Sequence, residues 1–389
     1  MFIRDITELE KNSLNILKKL EVDKGGHTIL SRKMKTYLLL ITDLSVYGAN
    51  ILKQDALSIG ADLAVPKGTI TCSVDRVDAV LIATYRQLET LAKKELAQPF
   101  GLKDLAKDLK KFLKAYRTVE FNPKIMGILN INSDSFYSGS HFQQNEVLEN
   151  SLKMIEDGAK ILDVGAVSSR PKSEAVTEDE EMERIKGVID LLYREKIYEK
   201  AELSLDSYAP KVIRYALDRG FKIVNDIRGL RDDEVAKVVG EYDAKVVIMH
   251  MQGDPKTMQE NPVYDDVVKE VHRFFSERIE KAKSFGISEK NIILDVGIGF
   301  GKTLQHNIEL LQSMQTFASF GKELLVGVSR KSLIDGVVKA SIEDRLPGTL
   351  ALHQKALENG ASILRVHDVV EHNQMVEIWK AFHGVSYKF

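Results

Sequence analysis

The stretch NIILDVGIGFGKT, residues 291–303, places one carboxylate at the end of a short apolar run, immediately before a glycine-rich loop. A run of this length bounded by glycines is typical of a buried strand. Asp295 needs a partner there, because an isolated charge is costly to bury. Gly297, Gly299 and Gly301 permit tight turns around the apolar Phe300. Taken alone, Asp295 is best interpreted as a structural acid bonded to a neighbouring loop.

The same arrangement recurs from Lys124 onward, where a short apolar strand ends in polar residues and a helical segment follows. We predict eight strands, at residues 125–129, 161–164, 203–205, 223–224, 246–249, 292–294, 324–328 and 363–366. We predict helices at residues 146–156, 178–192, 211–219, 234–240, 265–285, 304–312, 342–358 and 372–382. This order predicts an α/β fold, the (β/α)8 TIM barrel. A doubly wound open sheet is the alternative, but no nucleotide fingerprint supports it.

Composition limits the classes of function. The 389 residues are 44% hydrophobic and 29% charged, with a net charge of −2, which is ordinary for a globular protein. This charge gives no argument for binding nucleic acid or an anionic membrane surface. Cys72 is the only cysteine, which excludes an intrachain disulfide or a cysteine-cluster metal site and fits a reducing, cytoplasmic compartment. We expect neither export nor a membrane span, because the N-terminus lacks a signal-peptide core and the apolar runs are short.

Residues 1–118 are predicted to form a small N-terminal α/β accessory domain, followed by a barrel domain at 119–389. Segments 37–44 and 77–84 are predicted strands, and segment 60–68 is predicted to be a turn-rich loop. One helical stripe is apolar and consists of Leu102, Leu105, Leu109, Phe112 and Leu113. The region has no clustered acid, base or nucleophile, so we expect a structural or interaction role.

Polar residues follow the predicted barrel strands. The carboxyl ends of all eight strands of a barrel meet at one mouth, so we expect a single site. Its candidates are Asn130, Ser168, Ser169, Arg170, Asp206, Asn225, Asp226, His250, Asp295, Lys331, Arg365 and His367.

Two groups of these residues suggest two kinds of ligand chemistry. Arg365 and His367 end the last strand beside Asn130 of the first, and their donors suit phosphate oxygens. The alternative for Arg365 is a barrel-closing salt bridge to Asp163 or Asp368.

The second group is Asp206, Asn225 and Asp295, whose carboxylate and amide groups suit the donor and acceptor edges of a flat heterocycle. Lys331 could reach the same heterocycle, serve as a Schiff-base nucleophile or remain solvated. No carbonyl-handling partners accompany it, which weakens the Schiff-base interpretation.

From Lys124 to about His383 the chain resembles the dihydropteroate synthase family. The resemblance rests on an ordered series of motifs: IMGILNINSDSFYSGS from Ile125, GAKILDVGAVSSRP from Gly158, LSLDS, IVNDIRG, VIMHMQGDPKTMQ, ILDVGIGFGKT, VGVSRKS and RVHDV. An ordered series is far more specific than any one motif. Residues 1–118 lie outside the resemblance.

The resemblance implies a transferase of folate biosynthesis that joins 6-hydroxymethyl-7,8-dihydropterin diphosphate to 4-aminobenzoate and releases pyrophosphate. It implies that the pterin is held by Asp206, Asn225, Asp295 and Lys331. It implies that the diphosphate is held by Asn130, Arg365 and His367, with Asn130 also at a Mg²⁺ site. It implies that 4-aminobenzoate is surrounded by Phe136, Ser169, Arg170, Pro171, Phe300 and Ser332.

The family's chemistry needs no strong nucleophile. Mg²⁺ and cationic side chains stabilise the departing pyrophosphate. The protein carboxylates near the pterin favour positive charge at its exocyclic methylene, and the arylamine attacks that carbon. The catalytic residues implied are Asp206, Asp295, Lys331, Arg365 and His367. Loops 132–143 and 168–177 are expected to close and exclude water. The family also implies a homodimer, small-molecule substrates and sensitivity to sulfonamides.

Several residues depart from the family pattern, and two alternatives stay open. Asn132 and Ser133 replace the usual Thr-Pro and Ser138 an acid, while Val167 replaces Glu, Ser169 replaces Thr and Val296 replaces Pro. None of these changes removes a pterin or diphosphate ligand. The alternatives are a methyltetrahydrofolate methyltransferase, which would not need Arg365, His367 and the SRKS segment, and a pterin-binding paralogue without catalysis. The role of Lys302 is open.

Overall fold

The computed structural model describes residues 13–118, 122–131, 141–167, 176–254 and 256–384. The chain divides into two compact units. One comprises Met1–Thr118 with Lys380–Phe389, and the other comprises Val119–Trp379. Within the described ranges, every helix is too short or too polar to serve as a membrane-spanning segment.

The first unit contains a three-stranded antiparallel sheet in the order β1-β3-β2. Its strands are β1 (Thr36–Ser45), β2 (Asp62–Ala64) and β3 (Arg76–Thr84). Its helices are α1 (Ser13–Lys19), α2 (Lys24–Ser31), α3 (Val46–Ser58), α4 (Tyr85–Lys94) and α5 (Leu102–Thr118). Leu102, Leu109 and Leu113 of the predicted stripe are buried in the core of this unit.

The interpretation of segment 60–68 as a loop is wrong for three residues, which form β2. Leu63 at the centre of β2 is fully buried and pairs with Leu81 of β3. A strand of three residues is too short for alternation to reveal it, so turn-forming neighbours dominated the pattern.

The second unit is a closed parallel barrel in the order β10-β11-β4-β5-β6-β7-β8-β9, which confirms the predicted TIM barrel. The strands are β4 (Lys124–Asn130), β5 (Ile161–Gly165), β6 (Glu202–Asp206), β7 (Ile223–Asp226), β8 (Lys245–Met249), β9 (Ile292–Asp295), β10 (Glu323–Val326) and β11 (Ile363–Val366). The described helices are α6 (His141–Glu156), α7 (Glu178–Arg194), α8 (Pro210–Leu217), α9 (Asp233–Glu241), α10 (Val267–Ser284), α11 (Leu304–Gln312), α12 (Met314–Ala318), α13 (Ser332–Val337), α14 (Leu346–Glu358) and α15 (Val369–Gly384).

Strand alternation sorts the barrel residues into layers. One apolar layer fills the interior and consists of Met126, Ile161, Ile223, Val247, Ile293, Leu325 and Ile363. Residues one position further along, such as Leu162 and Leu294, pack in the larger core that also holds helix residues such as Ile185 and Phe275. Because side chains return to the same face every second residue, positions two beyond the inner layer also point inward, nearer the carboxyl ends.

Strand β10 ends at Val326, two residues earlier than the predicted segment 324–328. The backbone N–H of Val328 donates to Nε2 of His353 over 3.2 Å, so a side chain takes the place of a ladder partner. The helix predicted at 342–358 begins as α14 at Leu346, after a short 3₁₀ turn at Glu343–Arg345.

Candidate active site

A cavity open to solvent lies at the carboxyl ends of the barrel strands, with about 450 Å³ of empty space that includes part of the bulk solvent. It is lined by Ile128, Asp206, Asn225, Ile227, Met249, Asp295, Phe300, Gly327, Ser329, Lys331, Arg365 and His367. Six of these residues stand two positions after a member of the inner apolar layer: Ile128, Asn225, Met249, Asp295, Gly327 and Arg365. The alternation that builds the core therefore also turns these side chains into the cavity.

Arg365 is held between two carboxylates. Its Nε donates to Oδ2 of Asp163 over 2.6 Å, and its Nη2 donates to Oδ2 of Asp206 over 2.8 Å. Burial raises the pKa of Asp206, Arg365 opposes that shift, and nearby Asp163 adds to it. One guanidinium thus serves two buried acids, and the salt bridge to Asp163 weighed as the alternative for Arg365 is present.

Asp163 also orients Asn225. The carboxylate accepts from Nδ2 of Asn225 over 3.0 Å and from Oγ of Ser204 over 2.6 Å. Both Asp163 and Asn225 are buried. Because Nδ2 faces Asp163, the amide oxygen of Asn225 lies on the opposite side, where it can accept from a ligand N–H.

Asp295 lies next to Met249 in the sheet register and is almost fully buried. Its Oδ1 accepts from the backbone N–H of Gly297 over 2.8 Å. Burial raises the pKa of Asp295, while Lys331 and the Gly297 N–H oppose that shift. The partner required by this buried acid is therefore a loop N–H reinforced by a nearby ammonium, and the carboxylate still borders the cavity.

Lys331 crosses the cavity toward the glycine loop. Its Nζ donates to the carbonyl oxygen of Ile298 over 2.5 Å and lies 4.7 Å from the centre of the Phe300 ring. Burial lowers the pKa of Lys331 to about 8, and Asp295 opposes the shift. Lys331 is not a solvated lysine, and it lies beside carboxylates rather than a carbonyl-handling set.

His367 and Ser329 join the last two barrel strands at the rim. Oγ of Ser329 lies 2.9 Å from Nδ1 of His367 and accepts from the backbone N–H of His367 over 3.3 Å. Arg330 next to Ser329 turns away from this contact, because it donates to both oxygens of Asp368 over 2.6 and 3.0 Å.

Lys302 and His250 pair behind the site rather than in it. Nζ of Lys302 lies 3.1 Å from Nδ1 of His250 and donates to the carbonyls of His250 and Phe300. Burial lowers the pKa of Lys302 to about 7 and that of His250 to about 2. Neither residue lines the cavity, although His250 was among the predicted strand-end candidates.

Other predicted residues fall elsewhere. Asn130 ends β4 and is exposed, and Ser332 begins α13 and is exposed; neither lines the cavity within the part of the chain that the structure describes. Asp226 accepts from the backbone N–H groups of Arg228 and Leu230, which makes it a turn residue. Five of the candidate residues lie outside the described ranges: Phe136, Ser168, Ser169, Arg170 and Pro171.

Sequence reasoning did not place Asp163 and Ser329 in the site. Asp163 could have been found from alternation, because it stands two residues after Ile161 and so shares its inward face. Ser329 lies three residues after the end of β10, so the alternation of strand residues could not predict the direction of its side chain.

The described residues contain no cluster of three or more His, Cys, Asp or Glu side chains arranged to hold a metal ion. Mg²⁺ commonly uses one or two protein oxygens together with substrate phosphates and water, so it does not require such a cluster. Asn130, an exposed residue at the carboxyl end of β4, has an amide oxygen that fits that kind of site.

Comparison with known proteins gives consistent matches. A family model described as "Pterin binding enzyme" matches residues 126–367. A bifunctional dihydropteroate synthase/dihydropteroate reductase of Helicobacter pylori is 39% identical over 367 residues, covering 94% of this chain and 96% of that protein. The dihydropteroate synthase of Haemophilus influenzae is 41% identical over 260 residues, covering 67% of this chain and 94% of that protein. The structure of Xanthomonas albilineans dihydropteroate synthase with 4-aminobenzoic acid matches with a TM-score of 0.62 at 36% identity, covering 68% and 94% of the two chains.

Proposed function

The chain belongs to the dihydropteroate synthase family of pterin-binding enzymes, and we propose that the cavity at the barrel mouth is where it joins its two substrates. The enzyme is a transferase of folate biosynthesis. Its reaction condenses 6-hydroxymethyl-7,8-dihydropterin diphosphate with 4-aminobenzoate to give 7,8-dihydropteroate and pyrophosphate. The observation that carries the site assignment is the joint presence of two carboxylates, one oriented amide and three cationic or imidazole side chains around one cavity.

Asp295, Asn225 and Asp206 bind the pterin in this proposal. The carboxylate of Asp295 accepts from the 2-amino group and the adjacent ring N–H. The oriented amide oxygen of Asn225 accepts from a second ring edge. Because the Asp295 pocket is buried, a ligand without matching donors would leave that carboxylate poorly paired, and this gives selectivity for the pterin.

The diphosphate lies at the cationic side of the cavity, near Arg365, His367 and Lys331. Two N–H groups of Arg365 bind Asp163 and Asp206, and three N–H groups of the guanidinium lie outside those two bonds. The two acids fix the plane of the guanidinium and so limit the reorganisation needed as charge develops on the leaving group. Mg²⁺, if bound at Asn130, would neutralise charge on the departing pyrophosphate.

The reaction forms one C–N bond and breaks one C–O bond. The amine of 4-aminobenzoate attacks the exocyclic methylene, the electron pair of the C–O bond leaves with pyrophosphate, and the attacking nitrogen loses one proton. Asp206 and Asp295 stabilise positive charge that develops on the pterin. Phe300 supplies an apolar face for the arylamine ring, next to Lys331.

The test is a turnover assay with one active-site variant and one matched control. Purified protein, Mg²⁺, the pterin diphosphate and 4-aminobenzoate should yield pyrophosphate and dihydropteroate in equal amounts. Asp295→Asn should lower kcat/KM for the pterin diphosphate at least about tenfold, because a charged hydrogen-bond acceptor is lost. Asp190→Asn is the control and should change kcat/KM little. The Asp190 carboxylate accepts hydrogen bonds from Tyr215 and Arg219, and it does not line the cavity. Equal pterin affinity in the Asp295 variant and the parent would remove the site assignment.

A second activity is suggested by one relative. The Helicobacter pylori protein, which matches 94% of this chain, is named as a dihydropteroate reductase as well as a synthase. That match extends beyond the barrel, so we propose that the full chain also reduces dihydropteroate. A hydride from a reduced nicotinamide or flavin would add to carbon and a proton to nitrogen of the N5–C6 double bond. Anaerobic incubation with reduced donors and analysis for tetrahydropteroate tests this, and donor oxidation without that product contradicts it.

We also propose that the protein forms a homodimer and is located in the cytoplasm. Helix α15 carries exposed Val370 and Ile378 eight residues apart, so they share one helix face. This apolar face supports pairing with a second copy of the chain. The single cysteine supports a cytoplasmic location. Sedimentation analysis tests the first proposal, and cell fractionation tests the second.

A further inference from the structure

The glycine loop between Asp295 and Thr303 is held by its backbone. Four consecutive carbonyl oxygens, from Ile298 to Gly301, each accept a hydrogen bond from a side chain. In loop order the donors are Lys331 Nζ at 2.5 Å, Gln259 Nε2 at 2.6 Å, Lys302 Nζ at 2.9 Å and the Tyr264 hydroxyl at 2.7 Å. Carbonyls in irregular backbone need such partners. Here four consecutive carbonyls each have a side-chain donor, which holds the backbone of the loop in place.

The backbone also lies directly against the segment that follows β8. Gly297 and Gly301 have φ values of 68° and 61°, where residues with a Cβ are strained. A Cβ at Gly297 would lie 1.9 Å from the carbonyl oxygen of His250, and one at Gly301 would lie 2.5 Å from that of Gln252. The path of the loop is therefore set by its contact with residues 250–252.

Lys302 ties these two segments together. Its ammonium has three N–H groups, and three acceptors surround it: Nδ1 of His250, the carbonyl of His250 and the carbonyl of Phe300. Lys302 is buried and does not line the cavity. It therefore acts on the loop rather than on a substrate.

The ring of Phe300, by contrast, packs against adaptable neighbours. It borders a small apolar cluster of Ile227, Met249, Met251 and Met258, three of whose four members are methionines. Methionine side chains readily change shape to fill space, so they do not by themselves dictate where the ring lies. The position of the ring follows from the backbone at residue 300, which is flanked by the carbonyls that Gln259, Lys302 and Tyr264 bind.

We propose that Tyr264, Gln259 and Lys302 are positioning residues that set the place of Phe300 and thereby the affinity for 4-aminobenzoate. This inference rests on the proposed function of the cavity. None of the three residues lines the cavity. They act through the main chain of the glycine loop, whereas the carboxylate of Asp295 at its start borders the cavity directly.

The test compares two substitutions that each remove one phenolic hydroxyl. Tyr264→Phe should raise the KM for 4-aminobenzoate about fivefold, as expected for one lost hydrogen bond, and leave the KM for the pterin diphosphate within about twofold. Tyr215→Phe is the matched control, because its hydroxyl makes a 2.7 Å bond to Asp190 on the helical side of the barrel. It should move neither KM.

A double-mutant cycle shows whether the effect passes through Phe300. In a Phe300→Leu background, Tyr264→Phe should add less than about a twofold change in the KM for 4-aminobenzoate, because residues that act as one unit are not additive. Full additivity of the two changes would overturn the inference. Gln259→Ala provides a second route, since Gln259 is exposed and its removal leaves the core intact.

The outcomes separate the inference from the proposed function. An active parent whose KM for 4-aminobenzoate stays unchanged in both Tyr264→Phe and Gln259→Ala overturns the inference alone. A fall in melting temperature with both KM values unchanged likewise overturns the inference alone, because it shows a purely structural role. A parent that makes no dihydropteroate overturns the proposed function and this inference with it.

Discussion

Arg365 donates from Nε to Oδ2 of Asp163 over 2.6 Å, which links the last barrel strand to the second across the first. The same carboxylate oxygen accepts from Asn225, so one buried acid supports a cation and an amide that both face the cavity. The consequences of this shared support can be measured.

Asp163→Asn should impair both function and stability. It leaves Arg365 with one carboxylate and lets the Asn225 amide turn, so kcat/KM for the pterin diphosphate should fall at least about tenfold. Breaking a buried ion pair from one side typically costs about 3–5 kcal/mol, so urea unfolding should show a lower midpoint. Ser204→Ala is the milder control, because Ser204 binds only the other oxygen of Asp163. Wild-type kinetics in Asp163→Asn would contradict the positioning role.

Replacing Arg365 should harm more than diphosphate binding. Arg365→Ala leaves Asp163 and Asp206 without their shared cation. Because burial raises the pKa of Asp206 to about 7, the variant should lose more stability at pH 8, where Asp206 is charged, than at pH 5. Arg365→Lys should retain part of the stability but still raise the KM for the pterin diphosphate, since an ammonium cannot bind two acids and a phosphate as a planar fork. Unfolding titrations at both pH values and steady-state kinetics check this. A pH-independent stability loss in Arg365→Ala would argue against the charge explanation.

Glu95 of the first unit should make stability fall as pH rises. Burial, with a smaller contribution from Asp55, raises the pKa of Glu95 from 4.5 to about 7. The unfolded chain therefore loses this proton before the folded chain does, and stability declines between about pH 4.5 and 7, by up to about 3 kcal/mol. Glu95→Gln should remove that decline and be more stable than the parent at pH 8. Glu89→Gln on the preceding helix α4 serves as the control, and equal slopes in parent and Glu95→Gln would refute the prediction.

His353 and His372 form a chain of neutral imidazoles with a fixed direction. Nε2 of His353 accepts from Val328, its Nδ1 lies 2.8 Å from Nε2 of His372, and Nδ1 of His372 lies 2.5 Å from the carbonyl of Asp368. Burial lowers the pKa of both histidines. The unfolded chain therefore takes up protons below about pH 6.5 that the folded chain does not, and stability is lost as pH falls.

His353→Phe should cost about 2–4 kcal/mol at pH 7.5, because it leaves a buried N–H and an imidazole nitrogen without partners. Its stability should also decline less steeply than the parent's between pH 6.5 and 5.5. His306→Phe is the control for loss of an imidazole outside the buried pair; its half-buried ring accepts from the backbone N–H of Thr303 at the start of α11. Urea unfolding at three pH values gives both quantities, and an unchanged slope would exclude the neutral-pair explanation.

Ile378→Glu should weaken self-association. The substitution puts a charge on the exposed apolar face of α15, and Ile378 does not line the cavity. Sedimentation velocity should shift from dimer toward monomer with increasing dilution, at an unchanged melting temperature of the monomer. Glu377→Gln beside it provides a control, and identical sedimentation of Ile378→Glu and parent would dispose of this face as the dimer contact.

The barrel could be predicted because each strand carries a local signal. Segments such as 246–249 and 292–294 are continuous apolar runs followed by a polar residue, and eight strands in order leave little room for another fold. Strand β2 escaped prediction because three residues carry no period. Val328 was placed in a strand because it is apolar, whereas His353, distant in sequence, takes its N–H.

The sequence could predict only those site residues that follow the end of a strand. Asp206, Asn225, Asp295, Lys331 and Arg365 were selected by position and chemistry, and they line one cavity. The sequence could not show that Arg365 is shared by two acids, that Asn225 is turned by Asp163, or that Lys302 faces the loop. These facts depend on side-chain distances between strands, which no local pattern encodes.

The two inward-facing layers of the barrel have different roles, because the lower layer forms the apolar core and the upper layer supplies polar residues of the site. Ile161, Ile223, Ile293 and Ile363 form the lower layer, and the residue two positions later on each strand stands above it as Asp163, Asn225, Asp295 or Arg365. A substitution in the upper layer therefore changes the ligand environment while the hydrophobic plug beneath stays intact. A single-residue insertion ahead of these positions in any of these strands would instead turn both layers outward toward the helices, which sets a much stricter limit on insertions than on substitutions during divergence or redesign.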